Sequence, residues 1–381
     1  MTDTDRRTPM KIKTTLTLLL TCTAPLFANA EKQPAKPRVE VCFVLDTTGS
    51  MGGLIEGAKQ KIWSIANEMV SAKPAPDLKV GLIGYRDRGD EYVVKSFKLT
   101  DDIDSIYARL REFKADGGGD TPESVNEALA EAVEKMPWSQ ENDVLKIIFL
   151  VGDAPPHMDY KDGPKYADLC REAAKKDVII NTVQCGGIAE TTPVWQEIAK
   201  LSEGSYAAIA QSGNMAVIDT PMDAKLAELN RKIGGTLIAY GDADLRREMN
   251  VKQAVSESAP ASAAADRLNY NAKTKKSVQG GGELIDALAS GQAKLEQLDK
   301  KQLPAEMQEL SKAELASHID KMRSDRSALQ KEIETVAKER DEYIREKNKH
   351  LAATGKGDSF DEKVAQTIRA QAEKKGIHYE R

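Results

Sequence analysis

Apolar positions along the chain recur at two spacings, and the change from one to the other divides it. Between residues 39 and 209, six short apolar runs alternate with segments of helical periodicity. Val39 to Leu45 is rich in β-branched residues and bounded by polar ones, which predicts a buried strand. Leu54, Ile55, Ala58, Ile62, Ile65, Ala66 and Met69 then repeat at helical spacing. Leu78 to Tyr85 and Tyr92 to Leu99 predict the second and third strands, and Arg88-Gly89-Asp90 between them allows an antiparallel hairpin. Val144 to Val151 is the most apolar run, and Val178 to Val183 and Tyr206 to Ile209 supply the last two strands. Helices are expected over Ile103 to Phe113, around 164–175 and 192–202, and over Pro221 to Ile233. Thr121-Pro122-Glu123 reads as a helix opening, with Thr at the N-cap and Pro at the first helical position. The alternation predicts an α/β fold: a doubly wound, mostly parallel six-stranded sheet covered on both faces.

Beyond about residue 245 the texture changes. Ser256 to Ala265 is Ser/Ala-rich and Gly280-Gly281-Gly282 follows, so 246–282 reads as a flexible linker. Residues 283–379 are charged and helical, with a capping box at Ser311 and Glu314. Ile319, Met322, Leu329, Ile333, Val336 and Tyr343 fit a heptad seam, broken by Arg326 and Arg340 at two a positions. A helical hairpin or a self-associating coiled coil both fit that pattern. Lys356-Gly357-Asp358 should break the helix before a last amphipathic segment from Asp361 to Lys375.

The net charge of −5 removes nucleic acid from the expected partners. Met10-Lys11-Ile12-Lys13, the apolar run Leu16 to Phe27 and Ala28-Asn29-Ala30 read as an export signal over residues 1–30. The expected destination is periplasmic or extracellular; an uncleaved signal would instead anchor the chain. Cys22 falls inside that run, and Cys42, Cys170 and Cys185 are too irregularly spaced for a disulfide framework, although an oxidising compartment leaves a Cys170–Cys185 pair open.

Chemistry enters at three segments. Asp46, Thr48 and Ser50 follow the first strand, Thr121 follows the Gly-rich stretch Asp116-Gly117-Gly118-Gly119-Asp120, and Asp153 follows the fourth strand. Carboxylates and hydroxyls are hard ligands, suited to Mg²⁺, Mn²⁺ or Ca²⁺. In a parallel sheet the loops beyond the strand carboxyl ends converge on one rim, so these five side chains can surround one cation and leave a position open.

This pattern resembles the von Willebrand factor type A domain and its metal-ion-dependent adhesion site. The Asp-x-Ser-x-Ser element stands here as Asp46-x-Thr48-x-Ser50, the later threonine as Thr121 and the final aspartate as Asp153. The resemblance spans about residues 38–240 and implies a Rossmann-like fold there; the helical, coiled-coil extension is read from the later residues alone. It implies that Ser50, Thr48 and Thr121 ligate the ion directly or through water while Asp46 and Asp153 balance its charge. An acidic side chain of a protein partner would complete the shell, with Met51, Arg86, Arg88, Asp120, Glu123 and His157 forming the surrounding partner-binding rim. The segments from Tyr85 and from Asp153 are similar to A domains found beside atypical alpha-kinases, but no kinase Gly-rich loop or catalytic Asp/Asn set follows.

Plainer roles compete. Asp46 and Thr121 can act as helix caps, Asp116, Asp120 and Glu123 as solvated loop acids, and His157 as a structural residue rather than a general base. The expected function is a non-enzymatic, exported, metal-dependent protein-binding module acting in adhesion or assembly. The alternatives are a metal-dependent hydrolase, which lacks its usual motifs here, and a structural protein that acts through its helical tail.

Overall fold

The computed structural model describes residues 36–119, 121–215, 217–353 and 360–379, with the side chains of 350–353 left aside. The expected export signal, Asp120 and the Lys356-Gly357-Asp358 break lie outside the described residues. Six strands form the sheet: β1 (Arg38–Asp46), β2 (Asp77–Tyr85), β3 (Val94–Thr100), β4 (Val144–Gly152), β5 (Val178–Cys185) and β6 (Tyr206–Ile209), in the order β3-β2-β1-β4-β5-β6. Only β3 runs antiparallel, closing the hairpin expected around Gly89.

Both faces of the central strands are covered, as their continuous apolar runs require. Val39, Val41, Phe43 and Leu45 of β1 share one core with Leu145, Ile147, Phe149 and Val151 of β4, while Cys42, Val44, Ile148 and Leu150 point into the other. The first face carries α1 (Gly52–Met69) and α2 (Ile103–Glu112). The second carries α3 (Val125–Ala130), α4 (Tyr166–Lys175) and α5 (Thr191–Leu201). Every apolar position read at helical spacing in α1 is buried. Cys170 and Cys185 belong to opposite cores and all three described cysteines are free thiols, so the Cys170–Cys185 disulfide does not form.

The C-terminal third departs most from expectation. After α6 (Asp223–Gly234), the stretch read as a flexible linker forms α7 (Ala243–Glu257) and α8 (Ala261–Thr274). The Ser/Ala-rich composition that suggested disorder is what lets α8 approach its neighbours closely. Ala263, Ala264 and Ala265 are buried, and Tyr270 packs against Trp63 of α1 at 5.6 Å between ring centres. Short helices α9 (Leu284–Ala289) and α10 (Ala305–Gln308) lead to α11 (Lys312–Ala353), whose start carries the capping box: Glu314 accepts from the Ser311 N–H at 2.8 Å and Ser311 Oγ from the Glu314 N–H at 3.3 Å.

The heptad seam of α11 is covered within the chain from Ile319 to Val336. Leu329, Ile333 and Val336 pack on Leu226, Leu229, Ile233 and Leu268, and Ile319 joins Leu284, Ile285, Leu303 and Met307. The two arginines that interrupt the seam are its buried anchors. Arg326 makes a two-pronged pair with Glu283, 2.8 Å on each arm, and Arg340 reaches Asp223 at 2.6 Å and Asp266 at 2.5 Å. Finally α12 (Phe360–Glu373) returns to the sheet, where Phe360, Val364, Ile368 and Ala372 enter the same core as Phe43 and Phe149. The extension is therefore part of the domain's packing. No helix among the described residues is long and apolar enough to cross a membrane.

Candidate metal centre

Parallel pairing sets Leu45 opposite Val151 and Asp46 opposite Tyr85, so β1, β2 and β4 deliver Asp46, Tyr85 and Asp153 to one rim of the sheet. Asp46 is fully buried there. Its Oδ1 accepts the Thr48 N–H at 2.8 Å and the Thr48 hydroxyl at 2.6 Å, and Thr48 Oγ1 lies 3.4 Å from Ser50 Oγ. Ser50 sits on the single turn Gly49–Met51 and is exposed. A row of oxygens thus leads from the buried carboxylate to the surface. Asp153 is held across the rim: Gln211 Nε2 donates to its Oδ2 at 2.7 Å, and the Thr191 hydroxyl donates to its carbonyl at 2.7 Å. Gln211 had no signal in the sequence, because it comes from the loop after β6 and meets Asp153 only through the strand order.

The other oxygen of Asp46, Oδ2, is buried with no hydrogen-bond partner, and so is the Tyr85 hydroxyl. A Cβ at Gly152 would stand 2.4 Å from that hydroxyl and 3.0 Å from Asp46 Oδ2, so only glycine lets β4 end against them. Burial pushes the Asp46 carboxyl up to about 7; the Thr48 bonds work against the rise and the charge of Asp153 adds to it. A buried carboxylate with an unbonded oxygen is costly, and a cation beside it would offset that cost. The donor set of carboxylates and hydroxyls therefore fits a hard divalent ion. Among the described residues no three His, Cys, Asp or Glu side chains stand as a ready cluster, so hydroxyls must supply part of any shell.

Four of the five expected ligands gather here; Thr121 does not join them visibly. It is exposed on the loop, and the expected helix opening is displaced: α3 begins at Val125 after Ser124, and the Thr121–Pro122 peptide is cis. The residue carried inward is Glu123, only 4% exposed. Its N–H donates to Pro155 O at 3.0 Å and its carbonyl accepts from the His157 N–H at 3.0 Å, tying this loop to the one after Asp153. A solvated loop acid is therefore the wrong description of Glu123.

The rim is thinner than the sequence suggested. Met51, Arg86, Glu123 and His157 are buried, and Asp120 lies outside the described residues. Arg86 is a structural clamp: it donates to Thr47 O at 3.2 Å and Lys114 O at 2.9 Å and stacks over Tyr92. Arg88 stays exposed, paired with Glu127 at 2.8 Å and Asp162 at 3.0 Å and stacked on Tyr160. In Arg88-Gly89-Asp90 the aspartate accepts from the N–H groups of Asp87 and Gly118, so this tripeptide builds the turn.

His157 has both ring nitrogens engaged, Nδ1 with Asp159 at 2.8 Å and Nε2 with Asp87 at 3.2 Å, while the Ser124 hydroxyl donates to Asp87 rather than to the ring. Both contacts hold the ring between the loops after β2 and β4. Burial lowers its basicity, but Asp159 and Asp87 outweigh burial and raise its pKa. A raised folded value stabilises the protein below the unfolded pKa of about 6.5 and loses that contribution as pH climbs through the folded value. The gap in urea midpoint between the natural protein and His157→Gln should therefore be wider at about pH 5.5 than at about pH 8.5. An equal gap at both would refute the pairing.

The sheet order and the clustered oxygens define a domain class that the comparisons name. Residues 40–221 match the family model described as the von Willebrand factor A domain. It is 36% identical to human von Willebrand factor A domain-containing protein 7 over 120 residues, covering 32% of this chain and 12% of that protein. It is 30% identical to a putative ariadne-like RING finger protein of Acanthamoeba polyphaga mimivirus over 122 residues, 31% of this chain and 11% of that one. The chain thus spans about a tenth of the length of these relatives. Among solved structures it is similar to the SpRpn10 VWA domain, with a TM-score of 0.36 and 14% identity over 48% of this chain and all of that one. It is likewise similar to mussel byssus proximal thread matrix protein 1 with a zinc-occupied MIDAS motif, with a TM-score of 0.37 and 14% identity over 46% and 42% of the two chains.

Proposed function

We propose that this protein is a metal-dependent protein-binding module. Asp46, Thr48, Ser50 and Asp153 would hold a divalent cation, with Thr121 the further ligand that the family resemblance suggests. The cation supplies a Lewis-acidic position that can accept a carboxylate oxygen. Asp46 would anchor it, Thr48 and Ser50 would add hydroxyl ligands, and Gln211 orients Asp153. The observation that carries this reading is the buried, unpartnered Oδ2 of Asp46 beneath an exposed serine. A von Willebrand factor A domain is generally a protein-interaction module, and both ring nitrogens of His157 are taken up by Asp159 and Asp87. The export pattern of residues 1–30 adds that the partner is met outside the cytoplasm.

Calorimetric titration of the full chain with Mg²⁺ or Mn²⁺ is expected to show saturable binding that Asp46→Ala abolishes. Acetate, as a probe carboxylate, should then lower the water-proton relaxivity of the Mn²⁺-loaded protein by displacing bound water. Absence of saturable binding by folded natural protein, or binding unchanged in Asp46→Ala, would overturn the proposal.

A further inference from the structure

Glu123 is a buried acid whose side chain makes no hydrogen bond or ion pair among the described residues, and its Oε2 is one of the orphaned buried oxygens. Its position is imposed from two sides. The backbone bonds to Pro155 and His157 fix it beside the loop that carries Asp153. On the other side the chain passes through Gly117 and Gly118 with φ of 75° and 72°, a left-handed path that favours glycine. A Cβ at Gly118 would meet Thr48 Cβ at 2.8 Å and Glu123 Oε1 at 2.9 Å. The Glu123 carboxylate therefore lies directly across Gly118 from the Asp46-Thr48-Ser50 turn. Among the described residues no basic side chain is paired with it. Arg86, whose carbonyl accepts from the N–H of the adjoining Ser124, and Arg88 are committed elsewhere.

Resting on the metal-dependent reading above, we infer that Glu123 is a ligand of the same cation, directly or through one bound water. Three carboxylates then serve the site, and a partner's carboxylate must compete with one the chain already holds. Asp46, Glu123 and Asp153 do not form a finished cluster, but the Glu123 carboxylate has no bond to break in turning toward the ion. Such a ligand belongs to this chain's own loop, two residues beyond the threonine that the resemblance marks.

The test is calorimetric titration of the full chain with Mn²⁺, comparing the natural protein with Glu123→Gln, Glu123→Asp and Asp46→Ala. Glu123→Gln keeps the shape and removes the charge, so binding should weaken about 10–100-fold. Glu123→Asp keeps the charge at shorter reach and should fall between the two, and it decides the matter should the glutamine variant fail to fold. Binding in Glu123→Gln equal to the natural protein, while Asp46→Ala has lost it, overturns the role of Glu123 and leaves the cation site standing. No binding by the natural protein overturns both.

Discussion

A chain ending at residue 245 is expected not to reach the native state, although it contains every strand of the sheet and every matched residue of the von Willebrand factor A domain. Such a fragment loses Tyr270 of α8 and Phe360, Val364 and Ile368 of α12, all buried in the core on the α1 side. Full burial of a large apolar side chain contributes about 1.5–3 kcal/mol, so these four account for about 6–12 kcal/mol. That is comparable with the whole stability of a typical domain, about 5–15 kcal/mol. Phe43, which meets Phe360 at 6.3 Å, would be uncovered together with Phe149 stacked on it at 5.6 Å. Near-ultraviolet circular dichroism and urea unfolding of the fragment should show no cooperative transition, and Phe360→Ala alone should cost about 3–5 kcal/mol. A fragment that unfolds cooperatively with a native near-ultraviolet signal would show that the sheet does not need its C-terminal cover.

Replacing Arg340 by Met is expected to destabilise the protein by about 3–5 kcal/mol, because breaking one partner of a buried ion pair strands the other charge. Here two carboxylates are stranded, Asp223 and Asp266, both buried against α11. The exposed pair Arg323–Asp320, one turn away from Arg326, should be worth less than about 1 kcal/mol by the same urea measurement, since water screens it. Adding Asp223→Asn and Asp266→Asn to Arg340→Met should recover part of the loss, because the stranded charges are then gone. Natural stability in the single variant would mean that α11 is held by its apolar seam alone.

These two expectations mark where the sequence was hardest to read. Ser256 to Ala265 has little apolar weight, and small residues say nothing about disorder until their neighbours are known. At Ala263 to Ala265 smallness permits close helix packing. Arg267, buried in the same helix, looks solvent-facing in sequence; its partners, Asp104 at 2.6 Å and Asn230 at 2.9 Å, come from α2 and α6. Arg326 and Arg340 looked like flaws in a coiled coil for the same reason. A charged residue reads as exposed until the fold brings it a partner from far along the chain.

At the candidate metal centre the division is sharper. Asp46, Thr48, Ser50 and Asp153 were legible because each follows a strand whose apolar pattern is local, and parallel strands carry their following loops to one rim. The strand pattern, the α/β class and the oxygen-rich chemistry of the site were thus determined by sequence alone, since period and residue type are local properties. Only the tertiary structure decided that Glu123 turns inward while Thr121 stays exposed, and that Gln211 grips Asp153. It alone decided that α12 completes a core begun at Phe43, and that the seam of α11 from Ile319 to Val336 is spent on its own chain. Each of these depends on how distant segments meet, through glycine paths, burial and charge pairing that no local spacing encodes.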